Sequence, residues 1–546
     1  MLGGSDMKSL LKRIRSLWKK KRNPSSSLYE KGQAVVITAV AFMAILAFMG
    51  LVTDVGTLYL NFTRLKRGLD SAAVAAANNI RDSTLSVSQR KANIQEAARE
   101  MLSFNEIEDI SSMEVYLCDD AGIPTEFDDV CPDPGEEERK LAWVQATQDS
   151  QLYFLRLFGI NSIPITTHSI GEAATLDVVI VIDTSESMAS ETSDYDKLDY
   201  DPTSCNTNDT CQPLQYAKDA AKTMVDKFFD GKDRVALVTY DVRAETINPD
   251  ASNTILLEAD HTKVKTAIDT IDLYNGPGVP ELTAGGKDAR YGDFNPMDMD
   301  NDGVYYESMD IIQSTCTGCG IRVAGEILKK QGRIDSVWVI VFLSDGVTNV
   351  SDLPPSVYDS NSPVDPGFVN GFCGGSFGNR LWTNENGTSY SWCTDQDPST
   401  RHCGPFHSDA SECPPDATWV GNSSPPYDTD DYAYDMTDRV ALLFSANSNE
   451  PTPGEDVSIY TIGLGEAAIA ELNYAGEELL RYMANVGDDN ARNPIPDVAG
   501  DDFPQDPCDG VGHAQSCGQY YYAKSGNVLD AIFRDIADNI YTRISE

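Results

Sequence analysis

The chain has 546 residues, which is enough for several domains with separate hydrophobic cores. Its 42 Lys and Arg residues stand against 85 Asp and Glu residues, and the net charge of −43 excludes a generally basic nucleic-acid-binding protein. A content of 41% hydrophobic residues excludes a chain that is disordered throughout. Only one segment is apolar enough to cross a bilayer, so a multi-span membrane protein is excluded as well.

The apolar segment follows a basic N-terminus. Residues 1–33 carry nine cations and two anions, whereas the rest of the chain is strongly acidic. Residues 34–52 are 19 consecutive uncharged residues. As a helix they would span about 30 Å, the thickness of a hydrocarbon core. The position of the cations predicts a transmembrane helix over residues 34–53, with residues 1–33 in the cytoplasm and the bulk of the chain extracytoplasmic, either periplasmic or at the cell surface.

A cleaved signal peptide is the alternative interpretation of the same segment. No small-residue cleavage site follows the apolar run, and both the run and the basic region are long. We therefore expect an uncleaved, single-pass anchor.

All 12 cysteines follow the predicted anchor. Their even number and the close spacing of several pairs indicate local disulfides in an oxidising compartment. The closely spaced pairs are 118/131, 205/211 and 508/517. The sequence leaves the pairing itself open.

Residues 54–172 predict a small extracytoplasmic module. Apolar residues at spacings of three and four predict one helix from Asp54 to about Glu100. After it, we expect strands at 113–117, 141–146 and 163–170 and a short amphipathic helix at 151–158. The module is therefore expected to be α+β.

Apolar strands and amphipathic helices alternate from residue 173 to 546. Near-continuous apolar strands of this kind belong to parallel sheets covered on both faces, so the predicted fold class is α/β, a doubly wound, Rossmann-like domain. Two insertions interrupt it, at about 275–313 and 347–430, and the second is rich in cysteine. We expect strands at 176–182, 234–240, 336–343, 457–462 and 520–523, and helices at 213–229, 261–271, 321–330, 431–445, 466–483 and 527–544.

A D-x-S-x-S motif, Asp183, Ser185 and Ser187, directly follows the first of these strands. Ligands of such sheets bind at the carboxyl ends of the strands. A carboxylate and two hydroxyls on one turn supply the oxygen ligands that Mg²⁺ prefers. Because one turn cannot fill an octahedral shell, we expect further oxygens from Asp345, which follows another apolar strand, and from Thr315, which precedes a helix.

At these residues the chain resembles the von Willebrand factor type A family, over about 174–546 apart from the insertions. The resemblance implies a metal-ion-dependent adhesion site that holds Mg²⁺, or Mn²⁺ or Ca²⁺. It implies that Ser185, Ser187 and Thr315 coordinate the ion directly or nearly so, and that Asp183 and Asp345 act mostly through water. It also implies a protein partner whose acidic side chain completes the shell.

The threonine of this pattern has two candidates. Thr315-Cys-Thr-Gly-Cys-Gly-Ile-Arg322 looks like the family's threonine loop and following helix, and Thr317 is the alternative to Thr315. Cys316 and Cys319 depart from the usual pattern, and a link between them would stiffen or distort this loop.

The N-terminal part carries a second resemblance, to the TadG-like proteins of Tad/Flp pilus assembly. It rests on Lys31-Gly-Gln-Ala-Val-Val36, Asp54-Val-Gly-Thr-Leu-Tyr59, Leu69-Asp-Ser-Ala-Ala-Val-Ala-Ala-Ala77 and Leu155-Arg-Leu-Phe-Gly-Ile-Asn161. The resemblance covers about 31–172 and implies a pseudopilin-like module behind the anchor. The fifth residue after Gly32 is Ile37 rather than the Glu of cleaved prepilins, which favours a retained anchor.

A second metal site is predicted at Asp298, Asp300 and Asp302. D-x-D-x-D-G is how a calcium loop begins, with Gly303 permitting the sharp turn. The twelfth position is Met309 rather than Glu, and a solvated acidic loop is the alternative interpretation.

We expect a binding protein rather than an enzyme. The G-x-S-x-G match at 374–378 lies in the cysteine-rich insertion, not between a strand and a helix as a nucleophile elbow requires. The predicted function is metal-dependent binding of pilus or envelope components in Tad/Flp-type pilus assembly or envelope anchoring, without nucleic acid. The alternative is a surface adhesin that binds host, matrix or neighbouring cells through the same site.

Overall fold

The computed structural model describes residues 29–80, 85–107, 109–133, 139–192, 203–241, 244–273, 315–334, 336–348, 381–383, 389–391, 401–403, 417–419, 429–441, 457–465, 474–489, 507–508 and 510–544. The chain divides into two compact units. The first comprises Met1–Ser71, Glu100–Glu114 and Val144–Ser169, and the second comprises Ala72–Arg99, Val115–Trp143 and Ile170–Glu546. The predicted cytoplasmic segment up to residue 28, the whole first insertion with the predicted calcium loop, and most of the second insertion lie outside the described residues.

Helix α1, Tyr29–Asn78, contains the predicted anchor. Its part from Gln33 onward is long and apolar enough to cross a membrane. Large side chains along the apolar run, such as Val35, Phe42 and Phe48, are exposed. The anchor prediction therefore agrees with the structure in length and composition.

The single helix predicted from Asp54 to about Glu100 is two helices. Helix α1 ends at Asn78, and α2 spans Val87–Phe104. The second helix begins with a capping box of two reciprocal hydrogen bonds. The Gln89 N–H donates to the Ser86 hydroxyl oxygen, and the Ser86 N–H donates to the side-chain amide oxygen of Gln89. The prediction of one continuous helix was therefore wrong, because this S-x-x-Q pattern, which is visible in the sequence, starts a new helix after Ser86.

The module's three strands form one sheet in the order β1-β2-β3: β1 is Ile110–Leu117, β2 is Lys140–Gln151 and β3 is Ser162–Ala173. Between β1 and β2 lie the short helix α3, Thr125–Asp128, and the disulfide Cys118–Cys131. The helix predicted at 151–158 is wrong. There β2 continues to its end at Gln151, and only a single 3₁₀ turn follows, at Leu155–Phe158.

The second unit contains a six-stranded sheet in the order β13-β12-β7-β4-β5-β6. Neighbouring strands are parallel except for the β5–β6 pair. The edge strand β6 was not predicted, because it is short and only two of its four residues are apolar. The six strands are β4 Thr175–Asp183, β5 Arg234–Tyr240, β6 Ala244–Ile247, β7 Ser336–Ser344, β12 Ser458–Leu464 and β13 Tyr520–Ala523.

Four short strands lie within the cysteine-rich region and form two two-stranded sheets. The first sheet pairs β8, Leu381–Thr383, with β9, Ser389–Ser391, and the second pairs β10, His402–Cys403, with β11, Thr418–Trp419. The described parts of this insertion therefore contain strands.

Helices cover both faces of the six-stranded sheet, as the doubly wound fold class predicts. One hydrophobic core joins the sheet to α5, α6 and α10, and the other joins it to α7, α8 and α9. Every residue of β4 is buried, as expected for a central parallel strand. The helices are α4 Thr203–Asn208, α5 Leu214–Lys227, α6 His261–Asp269, α7 Thr317–Gln331, α8 Thr429–Ala441, α9 Ala475–Asp489 and α10 Leu529–Ile544.

The strand register places the carboxyl ends of β4, β5 and β7 at one edge. Asp183 is paired with Tyr240, and Ile182 with Leu343. The residues that directly follow these three strands are therefore neighbours, although they are far apart in sequence.

Candidate metal site

Asp183 ends β4 and is fully buried. Its Oδ1 accepts the Ser185 N–H at 2.9 Å, and its Oδ2 accepts the Ser344 hydroxyl at 3.3 Å. Burial raises the pKa of this carboxyl, and hydrogen bonds from Ser185, Tyr240 and Ser344 oppose the increase only in part. Burial of the ionised carboxylate is therefore unfavourable here, and a nearby cation would offset this cost.

A chain of three oxygens leads from the D-x-S-x-S turn to β7. The Ser185 and Ser187 hydroxyl oxygens lie 2.9 Å apart, and the Ser187 hydroxyl donates to Asp345 Oδ1 at 2.7 Å. Ser187 lies in the 3₁₀ turn Glu186–Ala189, which follows β4. The structure thus brings together two predicted hydroxyls and a predicted carboxylate that is 158 residues away from Ser187 in the chain.

Thr315 lies beside the same loop. Its backbone carbonyl accepts the Thr348 hydroxyl at 3.2 Å, and its Oγ1 lies 3.9 Å from where a Cβ on Gly346 would be. Thr317, the alternative candidate, lies in the buried first turn of α7. Thr315 therefore lies next to the residue that follows Asp345, and its role as the threonine of the site stays a prediction.

A disulfide joins Cys316 to Cys319 at the start of α7. The Cys316 N–H donates to the Asp241 carbonyl at 2.7 Å, which connects the threonine loop to the end of β5. The disulfide therefore closes a short covalent loop directly after Thr315.

Sequence reasoning missed Asp241. This buried residue directly follows β5 and therefore lies at the same sheet edge as Asp183 and Asp345. Its signal was the same as theirs, an acidic residue after an apolar strand. It adds a third carboxylate to this edge.

The donor set fits a hard divalent cation. Two ligand oxygens that are each about 2.1 Å from Mg²⁺ at right angles are about 3.0 Å apart. The separations of 2.9 Å between Ser185 and Ser187 and 2.7 Å between Ser187 and Asp345 are close to that spacing. Among the described residues no group of three or more His, Cys, Asp or Glu side chains is placed to hold a metal, so the hydroxyls are an essential part of this donor set.

Two family comparisons match these parts of the chain. Residues 32–79 match the sequence model of the putative Flp pilus-assembly TadE/G-like family, and residues 178–281 match that of the von Willebrand factor type A domain. Both resemblances that the sequence suggested are thereby confirmed. The chain combines a Tad/Flp-type N-terminal segment with a von Willebrand factor type A domain. No curated protein matches the chain significantly.

Several solved structures are similar to the chain at low identity. The PilB minor pilin from Streptococcus sanguinis is 12% identical, covering 80% of this chain and 78% of that chain, with a TM-score of 0.32. The vWF domain of the type V pili tip protein Mfa5 from Porphyromonas gingivalis is 16% identical, covering 68% and 97%, with a TM-score of 0.32. Proximal thread matrix protein 1 from the mussel byssus, with a zinc-occupied MIDAS motif, is 14% identical, covering 68% and 46%, with a TM-score of 0.29.

Proposed function

We propose that the chain is a membrane-anchored, extracytoplasmic protein that binds protein partners through a divalent cation at Asp183, Ser185, Ser187, Thr315 and Asp345. The process it serves is Tad/Flp-type pilus assembly or envelope anchoring, and the partners are pilus or envelope components. In this proposal the protein has no catalytic activity.

The observation that carries the proposal is the hydrogen-bonded chain from Ser185 through Ser187 to Asp345. These oxygens come from two neighbouring parallel strands and lie at the sheet edge where such folds bind ligands. Hydroxyls and carboxylates suit Mg²⁺ or Mn²⁺ better than softer ions. An acidic side chain of a partner would supply a further oxygen of the same kind.

The anchor and the pilus-related role have separate support. Helix α1 is long and apolar enough to span a bilayer from Gln33 onward, and that part of the helix falls within the TadE/G-like match. The basic residues before it favour a cytoplasmic N-terminus. The disulfides fit an oxidising compartment for everything that follows.

Affinity capture from native membranes tests the proposal. Wild type, Asp183→Ala and Ser187→Ala would be compared in Mg²⁺ and in EDTA, with Ser190→Ala as the matched control in the same loop. We expect pilus or envelope proteins to be retained by wild type and Ser190→Ala in Mg²⁺, and to be lost from both site variants and in EDTA.

Ser187→Ala matters because Ser187 is only partly buried, so the variant removes one hydroxyl without opening the core. An unchanged set of partners in all four proteins, both in Mg²⁺ and in EDTA, would contradict the metal-dependent mechanism. Recovery of host or matrix proteins instead of pilus components would favour the surface-adhesin alternative.

A further inference from the structure

An apolar loop next to the end of the anchor is exposed in the first unit. We call residues 153–160, Tyr-Phe-Leu-Arg-Leu-Phe-Gly-Ile, the aromatic loop. Tyr153, Leu157 and Phe158 are 70%, 79% and 71% exposed. Large apolar side chains that adjoin one another at the surface of a protein mark an interaction site.

The aromatic loop is held firmly despite its exposure. The carboxylate of Asp54 accepts the backbone N–H groups of Tyr153, Phe154 and Leu155 at 2.7 to 3.0 Å. The Phe154 ring packs against Gly50 of α1 so closely that a Cβ there would overlap the ring. The loop is therefore attached to one turn of α1, over residues 50–54.

That turn is where the apolar run of α1 ends. Gly50 lies inside the uncharged stretch 34–52, and Asp54 is the first charged residue after it. At 1.5 Å per residue, Gly50 lies about 6 Å below Asp54 along the helix. If α1 spans the bilayer as proposed above, Asp54 lies at the outer boundary of the hydrocarbon and Phe154 reaches below it.

We propose that the aromatic loop inserts into the outer interface of the bilayer that α1 spans and holds the module against the membrane surface. Its occupant is lipid. Tyrosine and other amphipathic or aromatic side chains favour this depth, because the apolar part of the side chain contacts hydrocarbon while its polar end reaches water. The exposed Arg156 lies among the apolar residues, where it can pair with lipid phosphates. This inference rests on the proposed membrane anchor.

Site-specific photocrosslinking of the full chain in native membranes tests this proposal. A benzoylphenylalanine replaces Leu157, and adducts are identified by mass spectrometry after irradiation. Two further positions serve as references: Phe42 in the middle of the apolar run, and Ile334, which is 64% exposed and belongs to the second unit. We expect phospholipid adducts at Leu157 and Phe42 and none at Ile334.

The outcomes separate this inference from the proposed anchor. Lipid adducts at Phe42 without any at Leu157 would overturn the loop proposal and leave the anchor intact. A protein adduct at Leu157 would overturn it in favour of a protein partner. No lipid adduct at Phe42 would overturn the anchor and the inference with it.

A second variant tests how the loop is held in place. Asp54→Ala removes the acceptor for three loop amides, so we expect the lipid adduct at Leu157 to decrease while the adduct at Phe42 is unchanged. Asp70→Asn is the matched control. Asp70 lies further along α1, and its carboxylate accepts a hydrogen bond from the Ser169 hydroxyl rather than from the aromatic loop. Equal lipid labelling at Leu157 in wild type and Asp54→Ala would contradict the role of Asp54.

Discussion

Lys140→Met should strongly destabilise the second unit. Lys140 is 1% exposed, and its Nζ lies 2.6 Å from Oδ1 of the fully buried Asp233. The same carboxylate also accepts the N–H groups of Leu176 and Phe229 and the hydroxyl of Tyr541. The variant therefore leaves a buried carboxylate with its neutral donors but without the ammonium group that contacts it.

The size of the effect follows from this geometry. Two unit charges 2.6 Å apart attract by about 6 kcal/mol at an effective dielectric constant near 20, and most of that offsets desolvation. Removing one partner of a buried pair costs about 3–5 kcal/mol. Because three neutral donors still hold Asp233, we expect the lower end, about 3 kcal/mol.

Lys222→Met is the matched control. Lys222 pairs with Asp219 and Asp269 at 3.0 and 2.8 Å, but both carboxylates are more than half exposed. Exposed ion pairs contribute at most about 1 kcal/mol. Urea unfolding of the full-length protein in detergent, with disulfides intact, gives the free-energy difference from the midpoint and the slope. Equal losses in the two variants would refute the reasoning, because they would mean that water solvates the Lys140 pair.

Two further substitutions test the packing and the electrostatics around α8. Gly325→Ala should lower the free energy of unfolding by about 1–3 kcal/mol, because a Cβ there would overlap Val440 across the α7–α8 contact; thermal unfolding measures this. Burial raises the pKa of Asp431 to about 7, against the hydrogen bond from His402. The folded protein therefore binds this proton more tightly than the unfolded chain does, so the protonated carboxyl stabilises the fold below its ordinary pKa of 3.8 and this stabilisation is lost as the pH rises through about 7. Asp431→Asn should flatten the dependence of the free energy of unfolding on pH between these two values.

Each of these predictions has a matched control. Gly56→Ala adds a Cβ to a helical glycine that has nothing within 4 Å, and a loss as large as that of Gly325→Ala would contradict the packing argument. Asp530→Asn changes a half-exposed carboxyl that is paired with Arg534. If Asp530→Asn flattened the pH dependence of stability as much as Asp431→Asn does, burial of Asp431 would not be the cause of that dependence.

The sequence predicted the central strands well, because a buried parallel strand is a continuous apolar run. Strand β5 begins and ends at the predicted residues, Arg234 and Tyr240. Strand β6 was missed, since its four residues are defined by antiparallel pairing with β5 rather than by a local pattern. The buried pair of Lys140 and Asp233 was missed for the same reason: it joins residues 93 apart, and neither has a local signal.

The arrangement of the candidate site was predicted in part. The motif and its place after a strand indicated Asp183, Ser185 and Ser187, and the parallel register of the fold class predicted Asp345 beside them, where the structure has it. That these residues hold a metal stays a prediction. Asp241 was missed although the same reasoning applied to it. The predicted calcium ligands Asp298, Asp300 and Asp302 lie outside the described residues and stay a prediction.

Binding of Mn²⁺ to the purified full-length protein tests the central claim most directly. Free Mn²⁺ would be followed by electron paramagnetic resonance during a titration of wild type, Ser187→Ala and Ser190→Ala. We predict that wild type and Ser190→Ala bind Mn²⁺ with the same affinity, that Mg²⁺ displaces it, and that Ser187→Ala binds it far more weakly because one ligand oxygen is gone. Equal Mn²⁺ binding by all three proteins would contradict a cation held between Ser187 and Asp345.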